Sequence, residues 1–312
     1  MKALVINRFG EPEELQIQEL GIPMLKAGEV LVRVHAAGIN PVDYKIRNGS
    51  MKLITGKKFP RILGGDVAGV VEQAGERSAF RPGDKVFAML SITGGAYAEF
   101  VCVKENQLCH IPEGFSMVEA AAVPLASLTA LQAFWKGDGI KPGDSVLVNG
   151  ASGGVGSFAV QIAKALDARV TAVCSTKNVD FVKSLGADKV IDYEKEDFKK
   201  LDEKFSAVFD AVAKSSFRKC KKLLTDDGKY VSTLPNNGLF LSQAFNFTDK
   251  KKAYFIGTKS SGHDLAIIAG FMKKHLLKPY IQQSFPLADG AEAHHLIETG
   301  RVRGKLVLKV IE

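Results

Sequence analysis

From residue 145 onward, short apolar runs alternate with stretches whose apolar residues recur three and four apart. The runs at 146–148, 169–174, 189–191, 207–211, 229–233 and 253–258 predict strands, because a strand buried on both faces of a sheet is apolar throughout. Residues 155–166, 179–185 and 216–224 carry the spacing of helices with one face on a core. Regular alternation of the two implies right-handed βαβ units and an α/β fold with a doubly wound parallel sheet.

Ahead of residue 122 the texture changes. Short strand-like runs are broken about every eight to twelve residues by turn signals, at Gly28-Glu29, Gly38, Gly64-Gly65, Arg81-Pro82-Gly83-Asp84 and Gly94-Gly95. That pattern predicts an all-β, barrel-like domain with little helix. Near the end, 280–285 and 305–310 are again strand-like and flank a helix at 287–299, so the chain returns to its first domain. The expected organisation is a β-rich domain of 1–122 completed by 265–312, with a nucleotide-binding domain of 123–264 between. No internal repeat or low-complexity linker interrupts it.

The first strand of the second domain runs into SVLVNGASGGVG, residues 145–156, with Ala151, Gly153 and Gly156 in the three small-residue positions of a dinucleotide-binding turn and Gly150 just ahead. Glycines there permit a tight turn, let backbone N–H groups approach a pyrophosphate, and let the next helix pack close to its strand. Ala151, Ser152, Gly153, Gly154 and Val155 are therefore the expected phosphate-binding set. After the following strand, where an Asp or Glu would hold the ribose hydroxyls of NAD, the sequence is Cys174-Ser175-Thr176-Lys177-Asn178. Without a carboxylate to repel it, a 2′-phosphate is accommodated by Ser175 and Lys177, which points to NADPH; alternatively Lys177 opens a solvated helix. Strand ends at 210–212 and 233–236, including Leu234, should face the cofactor.

Composition narrows the class. A chain of 312 residues suits two medium cores. No apolar run reaches the length of a membrane span, and the apolar stretch within residues 1–6 is too short for a signal peptide, so the expected compartment is the cytoplasm. The four cysteines form no Cys-x-x-Cys pair and no metal-site spacing with the histidines. The net charge of +8 invites a nucleic-acid reading, but the lysine runs at 199–200, 219–222, 250–252 and 273–274 are scattered and lack stacking aromatics, so they read as solvated surface.

Several motifs in order carry a family resemblance: 36–43 (AAGINPVD), 63–71 (LGGDVAGVV), 81–86 (RPGDKV), 95–99 (GAYAE), the glycine turn, and 185–193 (LGADKVIDY). Together they resemble the medium-chain dehydrogenase/reductase superfamily, in its zinc-free quinone oxidoreductase branch, over nearly the whole chain. The resemblance implies a GroES-like β-barrel catalytic domain joined to a Rossmann domain. It also implies which positions would ligate catalytic zinc in the metal-dependent members: here these are Asn40, Gly65 and about Leu125, none of them a thiolate or imidazole, and the four-cysteine lobe is missing from 86–103. Without a Lewis acid an alcohol is a poor hydride donor, whereas an electron-poor acceptor delocalises the arriving charge itself.

The same resemblance places polar groups of the loop 40–45 beside the nicotinamide, making Asn40, Tyr44 and Lys45 the candidate catalytic residues. Lys45 stands where many relatives have Tyr, and its cation suits the nicotinamide ribose or a substrate carbonyl. Asn40 reads equally as an αL or turn residue, Asp43 as a turn or salt-bridge residue, and Tyr44 as core. Thr129 sits where relatives contact the nicotinamide, or caps the helix expected at 130–135. Tyr193 is similar to a residue near the adenosine 2′-phosphate, and reads equally as a half-buried tyrosine with its hydroxyl in water; Arg303 and Lys305 are expected at the cofactor phosphates. The implied function is an NADPH-dependent reductase of quinones or of α,β-unsaturated ketones and aldehydes, working as a homodimer through the edge strand at 253–258. The alternative is a non-catalytic NADPH-binding redox sensor or an RNA-binding protein like zeta-crystallin.

Overall fold

The computed structural model describes residues 1–234, 242–243 and 250–311. They form two compact units, one of Met1–Leu125, Ser260–Lys273 and Pro279–Glu312, the other of Ala126–Lys259 with Lys274–Lys278. The return into the first unit thus comes at Ser260, a few residues ahead of the expected 265, and the second unit takes a short segment back.

The first unit contains β1 (Lys2–Ile6), β2 (Gln16–Glu19), β3 (Glu29–Ile39), β4 (Arg61–Ile62), β5 (Asp66–Ala74), β6 (Lys85–Met89), β7 (Phe100–Lys104) and β8 (Leu108–His110). The second supplies β9 (Ser145–Asn149), β10 (Arg169–Cys174), β11 (Lys189–Asp192), β12 (Phe205–Asp210), β13 (Leu224–Ser232) and β14 (Lys252–Phe255); β15 (Ile281–Pro286) and β16 (Lys305–Lys309) return to the first. A small sheet has the order β2-β1-β4, and a larger one β15-β16-β3-β5-β6-β8 with β7 also on β3.

The long strand β3 organises the first unit. Val30, Val32 and Val34 enter the core, then Ala37 and Ile39 do. The switch from even to odd positions coincides with an irregularity against β5 between Val34 and Ala36. One residue inserted there flips the face of everything after it, which sets the phase of the residues that follow Ile39. These form α1 (Pro41–Arg47) and α2 (Lys52–Thr55); α3 (Met117–Ala121) comes later and is opened by a Ser116/Glu119 capping box.

In the second unit all six strands are parallel, in the order β11-β10-β9-β12-β13-β14. The chain builds outward from β9 in one direction and then returns to build in the other, which makes the carboxyl end of β9 a topological switch point. Leu147, Val173, Ile191, Val208 and Tyr230 carry the core on one side. The helix expected at 130–135 begins earlier, as α4 (Pro124–Phe134), with proline in its first turn where a missing N–H costs nothing. After α5 (Gly154–Ala165) and α6 (Val179–Ser184), the helix expected at 216–224 is only α7 (Phe217–Cys220), followed by a 3₁₀ turn, because Leu223 and Leu224 leave the helix for the core. The buried Lys229 Nζ donates to the carbonyls of Phe134 at 2.9 Å and Lys136 at 2.5 Å, closing the end of α4 against β13.

Candidate functional site

At the switch point the glycine turn has the geometry its spacing requires. Gly150 has φ +82°, reached cheaply only by glycine. A Cβ on Gly156 would lie 2.1 Å from the Gly150 carbonyl oxygen, so glycine is what lets α5 pack this closely on the turn. Gly153 differs: it caps α5 at φ −81°, ψ 178°, open to any residue, and among the described residues a Cβ there would meet only the Gly150 oxygen, at 3.6 Å. Among the described residues nothing requires glycine at 153, and the space beside it suits a group from outside.

The first intrahelical bond of α5 runs from the Ser157 N–H to the Gly153 carbonyl, so the N–H groups of Gly154, Val155 and Gly156 have no acceptor within the helix and carry its positive end. Ala151 is a correction. It is buried, and its N–H donates to the Val173 carbonyl at 3.0 Å, so it shapes the turn without offering a donor.

Past β10, Ser175 is buried and Lys177 exposed. Asn178, which sequence reasoning passed over, donates from Nδ2 to Ser152 Oγ at 3.1 Å and to Ser175 Oγ at 3.0 Å, fastening the glycine turn to the next strand end. Tyr193 follows β11, bonds its N–H to the Cys174 carbonyl at 3.0 Å and is 57% exposed. The expectation of no carboxylate here needs correcting. Register pairs Asp192 with Cys174, and the Thr176 hydroxyl lies 2.6 Å from Asp192 Oδ2 and 2.7 Å from Glu194 Oε2. That hydrogen bond holds the Asp192 carboxyl below its ordinary range. Strand β11 supplies the acidic groups that β10 lacks.

The neighbouring strand ends are tied together. Asp210 is fully buried, accepting from Asn149 Nδ2 at 2.9 Å, the Tyr230 hydroxyl at 2.9 Å and the Ser215 N–H at 2.7 Å. Both of its oxygens are used, which makes it a clamp. Leu234, after β13, is exposed; Pro235 and Asn236 lie outside the described residues. Thr129 lies in the interior of α4, not at its cap, with its hydroxyl 2.8 Å from that of Thr258.

A second polar assembly is buried in the first unit. Asn40, Asp43, Asp66, Tyr97 and Lys305 are all nearly solvent-free. Register brings Gly38 opposite Asp66 and Ile39 opposite Leu306, so three strands deliver the group. Lys305 Nζ donates to the Ile39 carbonyl at 3.1 Å and to Asn40 Oδ1, and stands 3.5 Å from Asp66 Oδ2. Asn40 Nδ2 donates to Asp66 Oδ2 at 2.9 Å, and Asp66 Oδ1 accepts from the Leu125 N–H at 2.8 Å. Asp43 Oδ2 accepts from the Asn40 N–H at 2.7 Å and the Tyr97 hydroxyl at 3.2 Å, and Tyr97 stands 3.5 Å from His294 Nε2. Burial raises the Asp66 carboxyl and lowers the Lys305 ammonium, and each is the other's counter-charge.

Several expectations change with this. Lys305 is turned inward and does not reach a phosphate. Asn40 is extended (φ −132°, ψ 152°) rather than αL; it opens α1, and its amide spans Asp66 and Lys305, donating one N–H to the first and accepting from the second. Asp43, read from the sequence as a turn or salt-bridge residue, instead closes the cap of α1 by accepting from the Asn40 N–H. Tyr44 packs against the core of the unit, its hydroxyl pushed up by burial, so it is a packing residue. Lys45 is half-buried on α1. Arg303 is half-buried, its N–H on Gln282 Oε1 at 2.7 Å.

The assembly predicts a pH dependence of stability. Burial pushes Asp43 up to about 7 from 3.8, so between those values the folded chain holds a proton the unfolded chain has lost, and folding gains as pH falls. Burial, reinforced by Arg47, pushes His294 down to about 3 from 6.5, so between those values the unfolded chain holds the extra proton and folding loses as pH falls. The two oppose each other in mild acid. Asp43→Asn keeps both acceptor contacts and removes only the first effect. Its stability deficit should grow by about 1.4 kcal/mol per pH unit below neutrality, read by denaturant unfolding at several pH values. A deficit independent of pH would contradict the assignment.

Residues 26–113 match the family described as Alcohol dehydrogenase GroES-like domain, and residues 185–308 that described as Zinc-binding dehydrogenase. The chain is 35% identical to the chloroplastic quinone-oxidoreductase homolog of Spinacia oleracea, covering 96% of this chain and 95% of that one. It is 33% identical to the chloroplastic NADPH-dependent alkenal/one oxidoreductase of Arabidopsis thaliana, covering 99% and 79%. The solved quinone oxidoreductase from Coxiella burnetii superposes with a TM-score of 0.90 at 33% identity, covering 100% of this chain and 99% of the other. With a GroES-like unit and a Rossmann unit in one chain, the protein belongs to the medium-chain dehydrogenase/reductase superfamily, in its quinone oxidoreductase-like branch.

Proposed function

We propose that the chain is a zinc-independent, NADPH-dependent reductase of quinones or activated alkenes. The observation that carries this is the open turn at Gly153 over the N-terminus of α5, with Ser175, Lys177 and the exposed Tyr193 at the adjoining strand ends. The turn fits a pyrophosphate, because unpaired helix N–H groups and an absent side chain are what such a group needs. When bound, the nicotinamide supplies a hydride, and the acceptor takes it up with one proton from solvent, giving a saturated carbon–carbon bond or a hydroquinone. Gly154 and Val155 bind through their N–H groups, Ser152 lines the turn, and Lys177 with Ser175 and Tyr193 takes the 2′-phosphate. Thr129 and Leu234 flank the nicotinamide, and Lys45 holds its ribose or the acceptor's carbonyl oxygen.

Zinc does not fit the donor set. Asn40 has its carbonyl oxygen on an ammonium, Gly65 has no side chain, and Leu125 has no donor atom beyond its backbone; among the described residues no group of three or more His, Cys, Asp or Glu is placed to hold a metal. The names of the Spinacia and Arabidopsis relatives support quinones and alkenals or enones as acceptors. Incubation with NADPH and an enone, and in parallel a quinone, tests the reading: the expected products are the saturated ketone or the hydroquinone, whereas an allylic alcohol, or no product from either acceptor, contradicts it. The non-catalytic alternative requires RNA retention at physiological salt without turnover.

The same reading makes the protein a homodimer through β14, the last strand of its sheet among the described residues; sedimentation as a monomer at micromolar concentration would contradict this. No helix of the described residues is long and apolar enough to cross a membrane, and residence in the cytoplasm, the reading from the sequence, is tested by imaging the tagged chain.

A further inference from the structure

We propose that Lys305 is a positioning residue for the reaction, setting Lys45 through Asn40 and Asp66; the proposal rests on the reading that Lys45 acts at the ribose or the acceptor. Lys305 is 3% exposed, and its ammonium gathers the Ile39 carbonyl at the end of β3, Asn40 Oδ1 at the cap of α1 and Asp66 Oδ2 at the start of β5. The helix that carries Lys45 starts at this knot. Asn40 opens α1 with its N–H on Asp43 Oδ2 at 2.7 Å and its carbonyl on the Asp43 N–H at 2.9 Å.

With 7 residues, α1 is far too short to hold its own direction, so its aim is set at its two ends. The C-terminal end is fixed by the Arg47–Glu298 ion pair, and the N-terminal end by Lys305. Stability alone gives no reason to keep an ammonium there, because a buried ion pair is commonly replaced by apolar groups of like volume without loss. Directional donors to two fixed oxygens, with an ion pair to a third, do what an apolar filler does not: they fix where Asn40, and the helix after it, must lie. The inward turn of this lysine, otherwise unexplained in a protein with 42 Lys and Arg, then has a use.

The test compares D66N/K305M, which removes both charges of the pair, with K45M and with the triple variant, measuring melting temperature, NADPH affinity, and kcat and KM for the acceptor at a pH below 7, where the neighbouring buried Asp43 is protonated. The expected D66N/K305M protein melts cooperatively and binds NADPH within about twofold of the parent, with kcat down about tenfold, in the range set by misplacing a reacting group. Adding K45M should lower kcat no further, because both changes disable the same contact. Parental kcat in D66N/K305M, or losses that multiply in the triple variant, would overturn the proposal alone. Parental kcat in K45M would overturn the Lys45 reading and the proposal with it. Should D66N/K305M not fold, Asn40→Ser cuts the tie from the other side while keeping a cap-forming side chain, with the same kcat loss expected and a parental kcat overturning the proposal.

Discussion

Gly153→Val is expected to fold like the parent and to lose the dinucleotide, its dissociation constant for NADPH rising by at least about a hundredfold, or about 2.7 kcal/mol. Position 153 has an unstrained backbone, and among the described residues only one carbonyl oxygen, at 3.6 Å, lies within ordinary contact of a new Cβ. Among the described residues nothing else needs that space, which leaves it to a bound group. Gly156→Val is the contrast: its Cβ would stand 2.1 Å from the Gly150 oxygen and 2.8 Å from the Ala151 Cα, so the turn and α5 must separate, at a cost of about 1–3 kcal/mol or more. Denaturant unfolding and fluorescence titration separate the two effects. Parental affinity in Gly153→Val would mean that the pyrophosphate binds elsewhere.

Lys177→Ala should raise the KM for NADPH about tenfold to a hundredfold and leave that for NADH within about twofold. A hydrogen bond to a charged group contributes about 1.5–3 kcal/mol, and NADH lacks the phosphate that receives it. The acidic neighbours make this test sharper than the sequence suggested, since Asp192 and Glu194 lie within hydrogen-bond reach of the Thr176 hydroxyl, one residue away. If those carboxylates govern the site, the substitution will shift both cofactors equally or neither, and the choice of NADPH falls.

The second unit was legible because its signals are local. Strand, turn and helix follow one another within a few residues, and the strand at Arg169–Cys174 has the bounds its apolar run predicts. Three glycine roles followed from spacing, though only the structure separates Gly156, which the chain itself needs, from Gly153, which it does not. The buried assembly of the first unit was not legible, because its partners are remote. Lys305 and Asn40 are 265 residues apart, and their meeting depends on the registers of β16, β3 and β5 and on the irregularity near Val34, none of which leaves a mark in composition or periodicity. A basic residue near the chain end looked like a phosphate ligand for that reason. Asp66 sat within a recognisable motif, and its neighbour Gly65 drew attention as a turn signal and as a missing metal ligand.

The most direct test of zinc-independent, NADPH-driven reduction is steady-state NADPH oxidation with 9,10-phenanthrenequinone, after exhaustive dialysis against a strong chelator and again after adding zinc. Turnover unchanged by either treatment, and lost in Gly153→Val, is the predicted result; turnover that disappears with the chelator and returns with zinc would contradict it.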